Sequence, residues 1–398
     1  MKKLILCSLL LLTSLCVWAR TEKTITVDGH DRSYVFYYPT GRAASEPTQL
    51  VVALHGLGQT PDDFVAPETA QALCDQYGMA LLLPLALPEQ DNEIITAAPY
   101  LSAQYPTLSD GLTSVWGAGV SVSLSDLDLG SIAGLIRYFL PNIYAAGKFE
   151  LNKDVDDISF INAAINDCAA GYNLSSDIYM AGGSLGGAMT YRYAFSNASK
   201  ASKIAVISGF VGKEVSYPAS IDYPVMVIHS QTDELITYSG SAFNEPITDI
   251  VDKLVGKNPH GSPVESTIGD SDSIIYVFNY TDDPQVLFYS VIAAKHNMSD
   301  VRYINLYEEV WDFFAGSPSA IAENKGDNAN WRIWPNPARN QVNSNLEGDF
   351  TVFDLAGRAV LSGNTAQGIC VAGLNGVQYL LLIRTADNRC YRTMLIKQ

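Results

Sequence analysis

The stretch Ile178-Tyr-Met-Ala-Gly-Gly-Ser184-Leu-Gly-Gly-Ala-Met-Thr-Tyr-Arg-Tyr-Ala194 decides the fold. It opens as a short apolar run and closes as a helix-forming segment, with Gly182-Gly183-Ser184-Leu185-Gly186 between them. The reading is a strand, a sharp turn carrying one serine, and a helix. Such a turn has no room for side chains at its flanks, so glycines stand two residues either side of the serine. It lifts the Ser184 hydroxyl above the strand end. It also aims the backbone N–H of Leu185 at the place where an oxyanion would form. The five-residue pattern alone also fits an ordinary glycine-rich turn with a surface serine; the strand before it and the helix after it favour a nucleophile.

If Ser184 is a nucleophile, an acid and a base follow it in chain order, each after a later strand. The chain has five histidines. His30 and His55 precede the serine, and His229 lies inside the next apolar run. That run, Val225-Met-Val-Ile-His-Ser230, reads as a buried strand that breaks into a loop holding Asp233 and Glu234. His296 follows another apolar run, Gln285–Ile292, and precedes a predicted helix from about Asp300 to Phe314. His260 sits in a turn-rich loop with no strand before it. The base is therefore assigned to His296 and its orienting carboxylate to Asp233. Glu234 and His260 are the nearest alternatives, and His229 is read as a structural residue at a strand end.

Upstream, the apolar run Gln49–Leu54 leads directly into His55-Gly56-Leu57-Gly58-Gln59. A turn after an early strand supplies a second oxyanion donor in this architecture. Leu57 is the candidate and Gly58 its neighbouring alternative, while His55 is expected to shape the turn. The carboxylates Asp154, Asp156 and Asp157 read as a solvated helix start. The segment from Pro84 to Lys153 carries Tyr100, Tyr105, Trp116, Tyr138 and Tyr144, with a helical piece near Ile132–Leu140. These aromatics either line a substrate cleft, with Trp116 as the substrate-binding candidate, or pack the segment onto the domain.

From about residue 24 to 316 the chain resembles the secreted esterases related to polyhydroxybutyrate depolymerases and to feruloyl and acetylxylan esterases. The matching pieces are Arg32–Pro39, the Leu54-His-Gly turn, Trp116–Gly119, Val155–Ile161, the serine segment through Arg192, the Asp233 loop, His296 and Val310–Phe314. The resemblance implies an α/β-hydrolase fold with a mostly parallel, doubly wound sheet, and a serine carboxylic-ester hydrolase that needs no cofactor and no metal. The chain departs from the pattern at Leu57, at Ser230-Gln231 and at Asn297. Many relatives carry cysteine at the first of these places, glycine after the histidine at the second, and tryptophan at the third.

Composition agrees with a secreted enzyme. The chain has 398 residues, enough for one large and one small domain, and 47% are hydrophobic. A formal charge of −17 argues against nucleic acid or an anionic membrane as partner. No zinc-type Cys/His spacing, P-loop or dinucleotide fingerprint is present. Residues 1–19 read as a signal peptide, with Lys2-Lys3, an apolar core from Leu4 to Val17, and Val17-Trp18-Ala19 before the cut. The apolar run is too short for a transmembrane segment. Of the four cysteines that remain, Cys370 and Cys390 are the pair favoured for a disulfide.

Residues 317–330 read as a polar linker after a hydrolase domain spanning 20–316. From 331 to 398 short alternating strands predict a small C-terminal β-sandwich. Trp334–Ala338, Val352–Arg358, Leu374–Tyr379 and the basic end at Lys397 resemble a type IX secretion sorting domain. That resemblance implies export through the periplasm to the medium or cell surface, with the type IX machinery as partner. The leading expectation is an extracellular esterase acting on feruloyl or acetyl esters of plant cell-wall polysaccharide. The alternatives are a polyhydroxyalkanoate depolymerase or short-chain esterase, a serine peptidase of the same fold, and a non-catalytic glycan-binding surface protein.

Overall fold

The run Thr48–Leu54 (β3) forms a strand whose side chains are buried on both faces, which is how an interior strand of a parallel sheet differs from a half-exposed one. The computed structural model describes residues 20–101, 111–126, 136–138, 140–258, 260–269, 274–301, 304–316, 333–353, 359–375, 378–385 and 390–397. They fall into two units, Met1–Ala315 and Gly316–Gln398, each with its own core.

The first unit is built on a ten-stranded sheet. Its strands are β1 (Arg20–Val27), β2 (His30–Tyr37), β3, β4 (Ala80–Pro84), β7 (Leu174–Gly183), β8 (Ala201–Ile207), β9 (Val225–Ser230), β10 (Val264–Ile268), β11 (Ile275–Tyr280) and β12 (Val286–Val291). A separate two-stranded pair, β5 (Ser121–Ser123) and β6 (Lys148–Glu150), lies within the long connection from β4 to β7. The order in the large sheet is β1-β2-β4-β3-β7-β8-β9-β12-β11-β10. Every pairing from β4 through β12 is parallel, while β1, β2, β11 and β10 are added antiparallel at the two edges. Helices link the parallel strands: Pro67–Tyr77 between β3 and β4, and Leu185–Ala194 between β7 and β8. This strand order, with a serine turn after β7, is the α/β-hydrolase fold.

Register aligns the chemistry. Leu54 pairs with Gly182, Gly183 with Ile207, Ile207 with Ile228, and Ser230 with Val291. The C-terminal ends of five neighbouring strands therefore form one row, the place where open parallel sheets carry their sites.

The helix Asp157–Gly171 buries Phe160, Ile161, Ala164, Ile165 and Cys168, an apolar stripe at helical spacing. Asp156 caps it by accepting from the Ser159 N–H at 3.0 Å. Asp157 departs from the expected solvated helix start: its side chain is 0% exposed. It is paired with Arg32 of β2 and accepts from the Gly117 N–H at 2.7 Å. A buried carboxylate needs such partners, and these come from two distant parts of the chain. The helix after His296 spans Leu306–Ala315 and so starts later than expected. Hydrogen-bonded turns at Lys295–Met298 and Met298–Val301 occupy the intervening chain. The expected helical piece near Ile132–Leu140 falls largely outside the described residues, as do the signal peptide and the linker.

In the second unit, β13 (Ile333–Trp334), β14 (Gln341–Ser344) and β17 (Ile369–Cys370) form one antiparallel sheet. β15 (Gly348–Phe353), β16 (Ala359–Asn364), β18 (Gln378–Thr385) and β19 (Cys390–Ile396) form another. Val342 and Ile369 of the first sheet share a core with Phe350, Val352, Leu381, Ile383 and Leu395 of the second, which makes a small sandwich. Cys370 is a free, exposed thiol, so the expected Cys370–Cys390 disulfide is not formed. The two residues belong to different sheets, Cys370 opposite Gln341 and Cys390 opposite Arg384.

Candidate active site

Ser184 stands at the tip of the turn after β7 with φ 54° and ψ −121°, a strained conformation for a residue with a side chain. Its own N–H donates to the Ile207 carbonyl at 3.0 Å, which ties the turn to β8. The flanking glycines are steric necessities. A Cβ at Gly182 would lie 2.2 Å from the Gly186 carbonyl oxygen, and one at Gly186 would lie 2.0 Å from that of Leu54. Close packing of helix, turn and β3 thus requires both, and the helix Leu185–Ala194 starts at the residue after the serine.

The structure brings Ser184, His296 and Asp233 together. His296 Nε2 lies 2.8 Å from Ser184 Oγ, and His296 Nδ1 lies 2.8 and 3.0 Å from the two Asp233 oxygens. An ionised Asp233 has only acceptors, so Nδ1 carries the proton and Nε2 is left to accept from the serine hydroxyl. The His296 side chain is 13% exposed and that of Asp233 is 0% exposed, so the Asp233 end is dry while Ser184 and His296 stay half-buried. Burial alone would raise the Asp233 carboxyl. The hydrogen bond and charge of His296, with the N–H groups of Ile236 and Leu235 at 2.8 and 2.9 Å, outweigh that and hold it below the ordinary value.

Of the residues weighed as substitutes, Glu234 points elsewhere, accepting from the His296 backbone N–H at 3.0 Å. His260 takes no part: its ring lies edge-on to Tyr280, 6.1 Å between centroids. His229 is fully buried at the end of β9, donates to the Ile236 carbonyl at 2.8 Å and backs Asp233 at 3.4 Å; burial lowers its pKa.

The turn after β3 presses against the serine, and a side chain at Gly56 would come within 3.4 Å of Ser184 Cβ. Its amides can be accounted for one by one. Gly56 N–H donates to Gln59 Oε1 at 2.8 Å, Gly58 N–H to the Ser114 carbonyl at 2.9 Å, and Gln59 N–H to the Gly56 carbonyl at 3.3 Å. Among the described residues, the N–H groups of Leu57 and Leu185 make no hydrogen bond. Gly58, the alternative donor, is thus already committed. His55 braces the turn from below: Nδ1–H donates to the Gly56 carbonyl at 2.7 Å and Nε2 accepts from the Ala86 N–H at 3.1 Å. Both ring positions are used by a neutral imidazole, and burial pushes its pKa down to about 4.

Trp116 does not line a cleft. It is 0% exposed, and its indole N–H donates to the His55 carbonyl at 2.9 Å. The apolar bulk of tryptophan is best placed inside when its N–H has a buried acceptor, as here. It packs the 111–120 segment against the turn after β3, so the packing alternative is the one the structure supports. Tyr138 and Tyr144 are exposed; Tyr105 and the Tyr100 side chain lie outside the described residues. Ser208, directly after β8, is a further residue beside the site, and its sequence context hardly singles it out. Only its place after an apolar strand and before Gly209 marks it.

No protein-family model matches the chain, and no curated protein matches it. Solved structures similar to it include a thermostable esterase at 16% identity and TM-score 0.36, over 61% of this chain and 52% of that one. An acetyl xylan esterase from Aspergillus awamori is similar at 13% identity and TM-score 0.42, over 69% and 94% of the two chains. Est1E from Butyrivibrio proteoclasticus is similar at 13% identity and TM-score 0.36, over 74% and 98%. The chain spans about half the length of the thermostable esterase, 52%. The α/β-hydrolase fold rests on the strand order and the serine turn rather than on these likenesses.

Proposed function

We propose that the protein is a serine ester hydrolase that works through an acyl-enzyme. One observation carries this reading: an unbroken hydrogen-bonded line from Ser184 through His296 to Asp233, with both links at 2.8 Å. In this reading Ser184 Oγ attacks the ester carbonyl carbon and its proton passes to His296 Nε2. The carbonyl electrons collect on oxygen, where the free N–H groups of Leu57 and Leu185 receive them, each worth about 3 kcal/mol when well placed. Collapse of this intermediate expels the alcohol, which takes the proton from His296. Water then repeats the sequence on the acyl-serine and releases the acid. Asp233 holds the imidazole in the required tautomer and offsets its charge.

The preferred substrate class is a feruloyl or acetyl ester of plant cell-wall polysaccharide. What supports it is the resemblance of the motifs between residues 24 and 316. Export to the cell surface or medium is proposed from the sequence of residues 1–19 and from the sorting-domain motifs of the tail. A hydrolysis panel of methyl ferulate, acetylated xylan, polyhydroxybutyrate film and p-nitrophenyl acetate tests the substrate class. Turnover of methyl ferulate or acetylated xylan that is lost in Ser184→Ala is the expected result. Hydrolysis of the polyester with neither of those touched would overturn the cell-wall assignment.

A further inference from the structure

The loop that carries His296 runs from the end of β12 at Val291 to the helix at Leu306. Among its described residues it has no sheet ladder of its own, yet the imidazole must be held to within tenths of an ångström for proton transfer. The backbone of His296 is gripped on both sides by side chains from two other loops. Ser208, after β8, donates its hydroxyl to the His296 carbonyl at 2.8 Å. Glu234, beside Asp233 after β9, accepts from the His296 N–H at 3.0 Å. Two residues earlier, Ser230 and Thr232 donate to the Ala294 carbonyl at 2.7 and 3.1 Å.

We infer that Ser208 and Glu234 are positioning residues that clamp the peptide groups of His296 and so set the angle between its imidazole and Ser184. This inference rests on the triad reading given above. Ser208 makes the case stronger by its own conformation. It is 2% exposed and has φ 49°, in the left-handed region that non-glycine residues seldom occupy. Its N–H is anchored to the Ile228 carbonyl at 2.8 Å, so the strain aims the hydroxyl at the histidine loop. Glycine would adopt this backbone without strain but would lose the hydroxyl. A serine here is the choice that keeps the bond to His296. The two halves of the clamp are unequal. Ser208 is buried and its hydrogen bond is better shielded from water, whereas Glu234 is exposed and shares its acceptor with solvent.

Steady-state hydrolysis of p-nitrophenyl acetate by the full chain tests the clamp, with melting temperature measured on each variant. Ser208→Gly accommodates the backbone conformation and removes the hydroxymethyl group that bonds His296. It is expected to lower kcat by about 10- to 100-fold with KM within about twofold and no loss of melting temperature. Glu234→Ala is expected to lower kcat by a few-fold. Glu234→Gln retains an acceptor oxygen and should restore turnover to near wild type. Wild-type kcat in a well-folded Ser208→Gly overturns the inference. So does a fall in kcat that appears only with a matching fall in melting temperature, since that is plain structural damage. Ser184→Ala is run beside them: turnover surviving in that variant would sink the triad itself, a failure distinct from that of the clamp.

Discussion

The Trp116 indole N–H donates to the His55 carbonyl at 2.9 Å, and their rings lie 5.0 Å apart. A residue that looks like a substrate contact from its aromatic character is thus a buttress of the turn after β3. Trp116→Ala empties a fully buried indole site and should destabilise the protein by about 3–5 kcal/mol. Trp116→Phe keeps most of the volume and loses the hydrogen bond, a smaller loss of about 1–3 kcal/mol. Both should lower activity on aryl and acetyl esters by the same factor. A change in the ratio of the two activities at unchanged melting temperature would return Trp116 to the cleft.

His55 gives a pH signature. Its folded pKa is depressed by burial to about 4, from an ordinary value of 6.5. The unfolded chain therefore binds the proton first, and folding stability is full above about pH 6.5 and falls as pH drops toward 4. The shift corresponds to about 3 kcal/mol across that window. Carbon-13 NMR of the histidine ring should show the His55 signal unmoved from pH 8 down to about pH 5. A midpoint near 6.5 would contradict the buried, doubly hydrogen-bonded imidazole.

The serine turn should tolerate no side chain at its glycines. In Gly186→Ala the new methyl would sit 2.0 Å from the Leu54 carbonyl oxygen and 2.4 Å from that of His55, both backbone atoms. Overpacking of this kind costs about 1–3 kcal/mol or more. Reduced soluble yield or a lower urea midpoint is the expected outcome. A variant as stable and active as wild type would mean that the helix does not pack this close to β3.

The tail makes a separate prediction. The proposed catalytic groups all precede residue 297, and the second unit has its own core. Ending the chain near Asp327 should leave hydrolysis of a soluble ester within about twofold, or ~0.4 kcal/mol in barrier terms. If the tail is a sorting domain, the same truncation traps the enzyme in the periplasm. Appearance of the truncated enzyme in the medium would refute the sorting reading.

Much of the site was legible because it is encoded locally. The glycines around Ser184 are demanded by a turn that five consecutive residues describe, and Asp233 and His296 stand after the apolar runs that became β9 and β12. What stayed hidden depends on partners far away in the chain. Asp157 reads as a solvated helix start until Arg32, 125 residues earlier, is seen to pair with it. Ser208 reads as a loop serine until its hydroxyl meets the carbonyl of a residue 88 positions later. Glu234 looks like a substitute acid because its neighbour is one, yet a shift of one position along the loop sends its carboxylate to a backbone N–H. The antiparallel hairpin β10–β11 at the sheet edge went unread, because β10 is mostly exposed and carries no buried apolar run.

In the proposed mechanism His296 and Asp233 turn Ser184 into a nucleophile. Treatment with a fluorophosphonate, followed by peptide mass spectrometry, measures this directly. Wild type should be labelled at Ser184 alone, Ser184→Ala should not be labelled, and His296→Ala and Asp233→Ala should react at least ~10³-fold more slowly while remaining folded. Labelling of Ser184 at the wild-type rate in His296→Ala, or no labelling of the folded wild-type protein at all, would contradict the claim.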